Sequence, residues 1–220
     1  MGMSCRRHFH TFSTVSSHTT FSNGNSEHTN LPPICLCNFD PYNFWFVQQW
    51  PPNVCALQSG RCVGRGTKSF TIHGLWPQKR GNSVTNCPGT SFDFNQIAHL
   101  ENDLNVVWPN LITGNHKWFW GHEWNTHGIC SESRFDEAAY FQTSINLRHN
   151  IDLLSALRVQ GVVPNGASKS KQRVENAIVK HFKNNPVLRC KTASTGQVLL
   201  TEIVMCIDDD GVTLINCNLS

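Results

Sequence analysis

Asn43-Phe44-Trp45-Phe46-Val47-Gln48-Gln49-Trp50-Pro51-Pro52 is the stretch on which the fold turns. Aromatic and β-branched residues dominate it up to Trp50, the composition of a strand. Pro51 and Pro52 close it, because neither can donate a backbone hydrogen bond to a ladder. Downstream, residues 54–68 carry Cys55, Cys62 and three glycines and read as a stapled loop. Phe70-Thr71-Ile72 reads as a second strand, stopped by Gly74 and Pro77. Residues 79–91 are rich in Gly, Ser, Asn and Pro and read as a loop. Ile97, Leu100, Leu104 and Val107 then recur at helical spacing behind Asp93, which suits an N-cap, and Pro109 ends that helix. A short helix over 119–127 ends at Gly128. Residues 135–149 and 171–183 give two amphipathic helices, the last with Val174, Ala177, Ile178 and Phe182 on one face. Two strands near 197–206 and 212–217 flank the turn Asp209-Asp210-Gly211. Strands and helices do not alternate strictly, so the expected class is α+β, a central antiparallel sheet packed with several helices.

Upstream the composition changes. Residues 1–30 are rich in Ser, Thr, His and Asn, with Arg6 and Arg7 near the start and Glu27 as the only acid. No apolar stretch there resembles the core of a secretory signal. Residues 1–38 read as a disordered or mis-assigned leader; an organelle transit peptide is the second reading. Ile34-Cys35-Leu36-Cys37 also suits the stub of a signal peptide. Residues 39–220 show no further composition shift, repeat or linker and are expected to form one domain.

The 220 residues are 39% hydrophobic and 15% charged, a globular rather than a disordered balance. A net charge of +3 has the sign that suits a polyanionic partner but is too small to argue from. Ten cysteines point to an oxidising compartment, and seven tryptophans supply ring surface for a core, a cleft or both. No apolar run is long enough to span a bilayer, so no membrane partner is expected.

Two segments carry candidate chemistry: Phe70-Thr71-Ile72-His73-Gly74-Leu75-Trp76-Pro77 and Phe119-Trp120-Gly121-His122-Glu123-Trp124-Asn125-Thr126-His127-Gly128-Ile129-Cys130. Alone, His73 at a strand end is more often structural than catalytic. His122 and His127 lie five apart, roughly 140° around a helix, whereas a zinc-protease helix needs histidines four apart on one face. That spacing argues against a metal site. Glu123 and His127 are four apart, which can set a carboxylate beside an imidazole and raise its pKa.

Together, in letters and order, the two segments resemble the active-site blocks of the ribonuclease T2 family. The likeness spans about residues 39 to 217 and is nearest to the plant S-like and self-incompatibility ribonucleases. It implies a disulfide-bonded fold of that type. It also implies an endoribonuclease that cleaves single-stranded RNA without a cofactor, through a 2′,3′-cyclic phosphate to 3′-phosphate ends. By that resemblance His127 is the general base, His73 the general acid, His122 a phosphate holder, and Glu123 orients or polarises the site. The sequence leaves open whether the two proton-transfer roles swap. The chemistry fits the residue types: RNA supplies its own 2′-hydroxyl nucleophile, and two imidazoles near neutrality suit the two proton transfers. One departure weakens the match. The family usually has lysine where this chain has Thr126, and threonine where it has Ile129, so a slower enzyme is expected.

The resemblance further implies a site for uridine 3′ to the cut, formed by Gln49, Asn110, Ile112 and Phe119, with Trp120 beside it. Alternatively, Asn110 caps the turn after Pro109 and Phe119 belongs to the core. The other base site is expected to use Trp76 as a stacking wall and Gln78 as an edge contact. The family's pairings imply the disulfides Cys55–Cys62, Cys87–Cys130 and Cys206–Cys217. They leave Cys190 unpaired, because its usual partner lies in a C-terminal tail that this chain is expected to lack. Asn218-Leu219-Ser220 is the only glycosylation sequon. A monomer in the extracellular space, vacuole or secretory lumen is expected. The competing readings are a storage, defence or RNA-binding protein whose site has weakened, and a pollen-rejection ribonuclease defined by its recognition partner.

Overall fold

In the computed structural model, which describes residues 43–79 and 81–217, the opening stretch forms β1 (Asn43–Gln49). It is paired antiparallel on both sides, with β2 (Thr71–Lys79) and β5 (Val198–Asp208). β3 (Asn82–Ser83) extends the sheet beyond β2, and β4 (Val187–Thr192) extends it beyond β5. The strand order is β3-β2-β1-β5-β4, and β6 (Leu214–Ile215) also pairs with β5. Every pairing is antiparallel, as the α+β reading expected. The leader, with Cys5, Cys35 and Cys37, and the sequon at Asn218 lie outside the described residues.

Period-two alternation gives the sheet two unlike faces. Phe44 and Phe46 of β1, Ile72 and Leu75 of β2, and Ile203, Met205 and Ile207 of β5 enter the main core. Val47, Trp76 and Val204 form a small cluster of their own, edged by Trp45 and Val187. Helices cover the first face. Asp93 caps α2 (Phe94–Ile97) by accepting from the Asn95 N–H, and a 3₁₀ turn over Ala98–Leu100 leads into α3 (Glu101–Val107). Ile97, Leu100, Leu104 and Val107 are all buried, so the helical spacing marked the right face although the helix is interrupted. There follow α4 (His116–Thr126), α5 (Glu137–Asn150), α6 (Leu153–Val159) and α7 (Lys171–Phe182). Among the described residues no helix is long and apolar enough to cross a membrane.

Three sequence expectations need correction. Residues 54–68 are not all loop: α1 (Pro51–Ala56) starts on the two prolines, whose missing N–H groups cost nothing in a first helical turn, and a 3₁₀ turn covers Val63–Gly66. β2 does not stop at Gly74 but runs on to Lys79, through Pro77. The Pro77 carbonyl accepts from the Val84 N–H at 2.9 Å, on the side away from β1. Its donorless nitrogen therefore faces the side where only the short β3 pairs, and no β1 bond is lost. Third, residues 79–91 are not all loop, since β3 lies within them; β4 and α6 carried no clear sequence signal.

The described chain holds three disulfides, Cys55–Cys62, Cys87–Cys130 and Cys206–Cys217, and Cys190 is a free, exposed thiol. Cys87–Cys130 spans 43 residues and joins the loop after β3 to the turn after α4. Replacing both its cysteines by alanine is expected to cost about 2–5 kcal/mol of unfolding free energy. Urea denaturation of the wild-type and doubly substituted chains measures this.

Candidate active site

A bulge places the first histidine. Along the β1–β2 ladder Val47 pairs with Gly74 and Gln48 with Ile72, so His73 is the extra residue with no partner on β1. Bulges re-aim side chains, and they leave a backbone group to be satisfied elsewhere. Here the His73 carbonyl accepts from the Trp108 indole N–H at 2.9 Å. The Trp108 carbonyl accepts in turn from Trp120 Nε1 at 2.7 Å, and Tyr140 Oη donates to the Leu75 carbonyl at 2.8 Å. These buried ring donors fasten β2 to the helical layer around His73.

The second block enters on α4, capped by Asn115, whose side chain accepts from the Trp118 N–H. Glu123 is buried and accepts from Trp76 Nε1 at 2.9 Å. Its other oxygen lies 3.9 Å from His73 Nε2. A side chain at position 74 would collide with both the Trp76 indole nitrogen and the Glu123 carboxylate, so this strand–helix bond exists only because residue 74 is glycine. His127 closes the C-terminal end of α4, and its ring stacks on Trp76 at 4.9 Å between centroids. The His73 ring meets the same indole edge-on at 5.1 Å. Both imidazoles thus rest on one tryptophan. His122 is exposed and stacks on Trp118 at 5.4 Å, with the planes 6° apart.

The charges are arranged unequally. Burial would lower the His73 pKa, but its hydrogen bond to Glu202 and the charges of Glu123 and Glu202 outweigh burial and Arg189, leaving it above the ordinary 6.5. Burial, with the positive charge of His73 and His122 nearby, depresses His127 to about 4. Burial pushes Glu123 up to about 7, against the opposing pull of His73 and the Trp76 hydrogen bond. The expected pairing of Glu123 with His127 is therefore wrong. The carboxylate turns toward β2, where the indole N–H satisfies it, and His127 shifts downward rather than upward.

A cleft of about 670 Å³ opens beside His73, lined by Gln49, Asn110, Ile112, Phe119, Trp118 and Lys191 among others. The four residues expected at the uridine site thus share one cavity with His73. Asn110 is nonetheless committed to its own loop: Oδ1 accepts from the Ile112 and Thr113 N–H groups at 3.0 Å, and Nδ2 donates to the Asn115 carbonyl. The turn-capping alternative is thereby the observed one for its side chain. Three other assignments do not survive. Trp120 is fully buried with its N–H spent on Trp108, so it is core. Gln78 is fully buried and donates to the Trp76 carbonyl and Ser83, so it has no surface to offer a base. Trp76 is covered by His127 and by the Arg189 guanidinium, 5.1 Å from its ring centre, so it is not an open stacking wall.

Two site residues were missed. Glu202 Oε1 lies 2.5 Å from His73 Nδ1, and Arg189 Nη1 donates to Glu202 Oε2 at 3.2 Å. A charge inside the run Val198–Cys206, which is apolar but for Thr201 beside it, was the available signal. Among the described residues no three His, Cys, Asp or Glu side chains are grouped to hold a metal ion.

The Ribonuclease T2 family model matches residues 42–217. The chain belongs to the ribonuclease T2 family. It is 49% identical over 178 residues to ribonuclease MC of Momordica charantia, covering 80% of this chain and 93% of that protein. It is 38% identical to ribonuclease 1 of Arabidopsis thaliana, covering 79% of each. A mutant of ribonuclease MC1 solved with 5′-GMP superposes with a TM-score of 0.79 at 48% identity, covering 81% of this chain and 94% of that one. The chain is a ribonuclease of the plant S-like type, with the expected fold and an RNA-cleaving activity.

Gly74→Ala is expected to lower stability by about 1–3 kcal/mol, the scale of overpacking, and to reduce cleavage more than stability. Melting curves and RNA assays on the soluble variant separate the two effects.

Proposed function

We propose that the protein is a monomeric, metal-independent endoribonuclease that cuts single-stranded RNA by transphosphorylation, with His127 as general base and His73 as general acid. The observation that carries this is the opposite displacement of the two imidazoles resting on Trp76, with His73 alone of the pair lining the cleft. A base must be neutral at working pH, and an imidazole with pKa about 4 is. An acid must hold its proton, and His73 does so to above 6.5. The cleft supplies a second argument. The nucleotide 3′ to the cut carries the 5′-oxygen leaving group, so the imidazole lining that nucleotide's pocket is the one to protonate it.

In the proposed reaction His127 removes the 2′-hydroxyl proton, and the 2′-oxygen attacks phosphorus. His73 then gives its proton to the departing 5′-oxygen, leaving a 2′,3′-cyclic phosphate. Water later opens the cyclic ester with the roles reversed, giving a 3′-phosphate. His122 holds a phosphate oxygen at the exposed end, and the protonated form of Glu123 donates to another. Asn110 acts on base choice by fixing the loop over 110–113, while Gln49, Ile112 and Phe119 form the walls. Three disulfides and the plant relatives support a secreted or vacuolar location. The weakened-site reading rests on Thr126, which offers a hydroxyl where the family usually has an ammonium.

The profile of kcat/KM against pH is expected to rise through about pH 4 as His127 loses its proton, and to fall above 6.5 as His73 loses its own. His73→Ala and His127→Ala should each lower the rate by roughly 10²–10⁴-fold. Cleavage retained when both are replaced would overturn the assignment, as would dependence on added metal after chelation.

Restoring a cation at position 126 tests the weakened-site reading. Thr126→Lys is expected to raise kcat by roughly tenfold or more, within the range for a donor added at a phosphorane. An unchanged or lower kcat contradicts it.

A further inference from the structure

We propose that Glu202, clamped by Arg189, is a positioning residue for His73, fixing the ring so that Nε2 carries the transferable proton. This rests on reading His73 as the general acid. The bulge at His73 removes the ladder contacts that would otherwise orient this residue, so its ring needs another anchor. Glu202 provides one from β5, reaching over β1 to bring Oε1 to 2.5 Å from Nδ1. A carboxylate there accepts a hydrogen bond from Nδ1–H and leaves Nε2 to face the substrate, because the bond at one ring nitrogen sets the role of the other.

The carboxylate is itself held. Arg189 is the direct cross-strand partner of Glu202 in the β4–β5 ladder, beside a second bulge, and donates to Oε2 at 3.2 Å. The guanidinium lies 5.1 Å from the ring centres of both Trp45 and Trp76, so it is packed on the sheet rather than waving in solvent. Four adjacent strands therefore contribute to one clamp: β2 gives His73 and Trp76, β1 gives Trp45, β5 gives Glu202 and β4 gives Arg189. The competing anchor is Glu123, but it sits 3.9 Å from Nε2, beyond a hydrogen bond, and is engaged by Trp76. The charged and titratable groups around His73 are thus Glu202 and Arg189 on the sheet, Lys191 of β4 across the shared cleft, Glu123 on α4 and His127 at its C-cap. In the transfer step the Nε2–H bond breaks as the proton passes to the 5′-oxygen of the departing nucleoside. The Nδ1–H···Glu202 bond is kept throughout, so Glu202 neither gains nor loses a proton.

The test uses the full chain carrying Glu202→Gln, which keeps the size and polarity but removes the charge. Expected are a kcat lower by roughly tenfold to hundredfold, part of what a general acid supplies, and a KM little changed. The basic limb of the pH profile and the His73 imidazole titration followed by NMR should both move to lower pH, and Glu202→Asp should bring them part of the way back. A basic limb or titration that stays in place overturns the inference, as does a rate loss without either shift. Should Glu202→Gln fail to fold, Arg189→Gln serves: loosening the carboxylate should lower kcat with KM kept, and an unchanged kcat overturns the proposal. His73→Ala separates the levels. If it abolishes cleavage while Glu202→Gln is inert, only the clamp fails; if it remains active, the general-acid reading fails and the clamp with it.

Discussion

The bond from the Trp76 indole to the Glu123 carboxylate joins the two halves of the site, and most of its geometry depends on it. β2 brings His73 and α4 brings His127, and no backbone ladder links a strand to a helix. Trp76 makes the link three ways: its N–H binds Glu123, its face carries His127, and its edge meets His73. Gly74 leaves the gap through which this contact passes. The Cys87–Cys130 bridge then ties the turn after α4 to the chain leaving β3, holding the same two halves from the outside.

Burial alone would drive both imidazoles toward neutrality, since a desolvated charge is costly. What separates them is the company each keeps. His73 has carboxylates at two ring nitrogens, one hydrogen-bonded and one at 3.9 Å. His127 has only the positive charge of its fellow histidines, and its Nδ1 is buried without a hydrogen-bond partner. Two chemically identical side chains are thus shifted in opposite directions by where acidic side chains fall on a sheet. The sheet accommodates such groups because its two faces have different tasks: one packs the helices, and the other carries a small buried apolar cluster beneath the polar machinery.

Much of the fold was legible because its signals are local. The aromatic run at 43–50, the spacing of Ile97, Leu100, Leu104 and Val107, and the Asp-Asp-Gly turn each report on neighbouring residues. The errors came where tertiary context overrides a local rule. Pro77 reads as a stop signal unless it is known that the strand's outer side is almost unpaired. Glu123 and His127 share a helical spacing, yet His127 lies at the helix end, where the backbone leaves the helical path. Trp76, Gln78 and Trp120 were the right residues for the neighbourhood but the wrong ones for its surface, since sequence does not say which side of a ring faces water. Glu202 and Arg189 were missed because their partners are far away in sequence: His73 and Glu202 are 129 residues apart, and only the strand order brings them together.

In the proposed reaction, with threonine at position 126, the charge of the phosphorane has to be balanced by other groups. Arg189 is a cation on the sheet close to His73, but it is engaged by Glu202 and the two indoles. His122 is exposed and lacks a buried setting that would strengthen its pull. The protonation state of Glu123 then matters to that proposed reaction. As a carboxylate it would repel the doubly negative phosphorane; as an acid it donates a hydrogen bond. With its pKa pushed up to about 7, the donating form is well populated at mildly acidic pH, where His73 also holds its proton and His127 has already lost its own. All three protonation states that the proposed reaction needs therefore coincide between about pH 4 and 7.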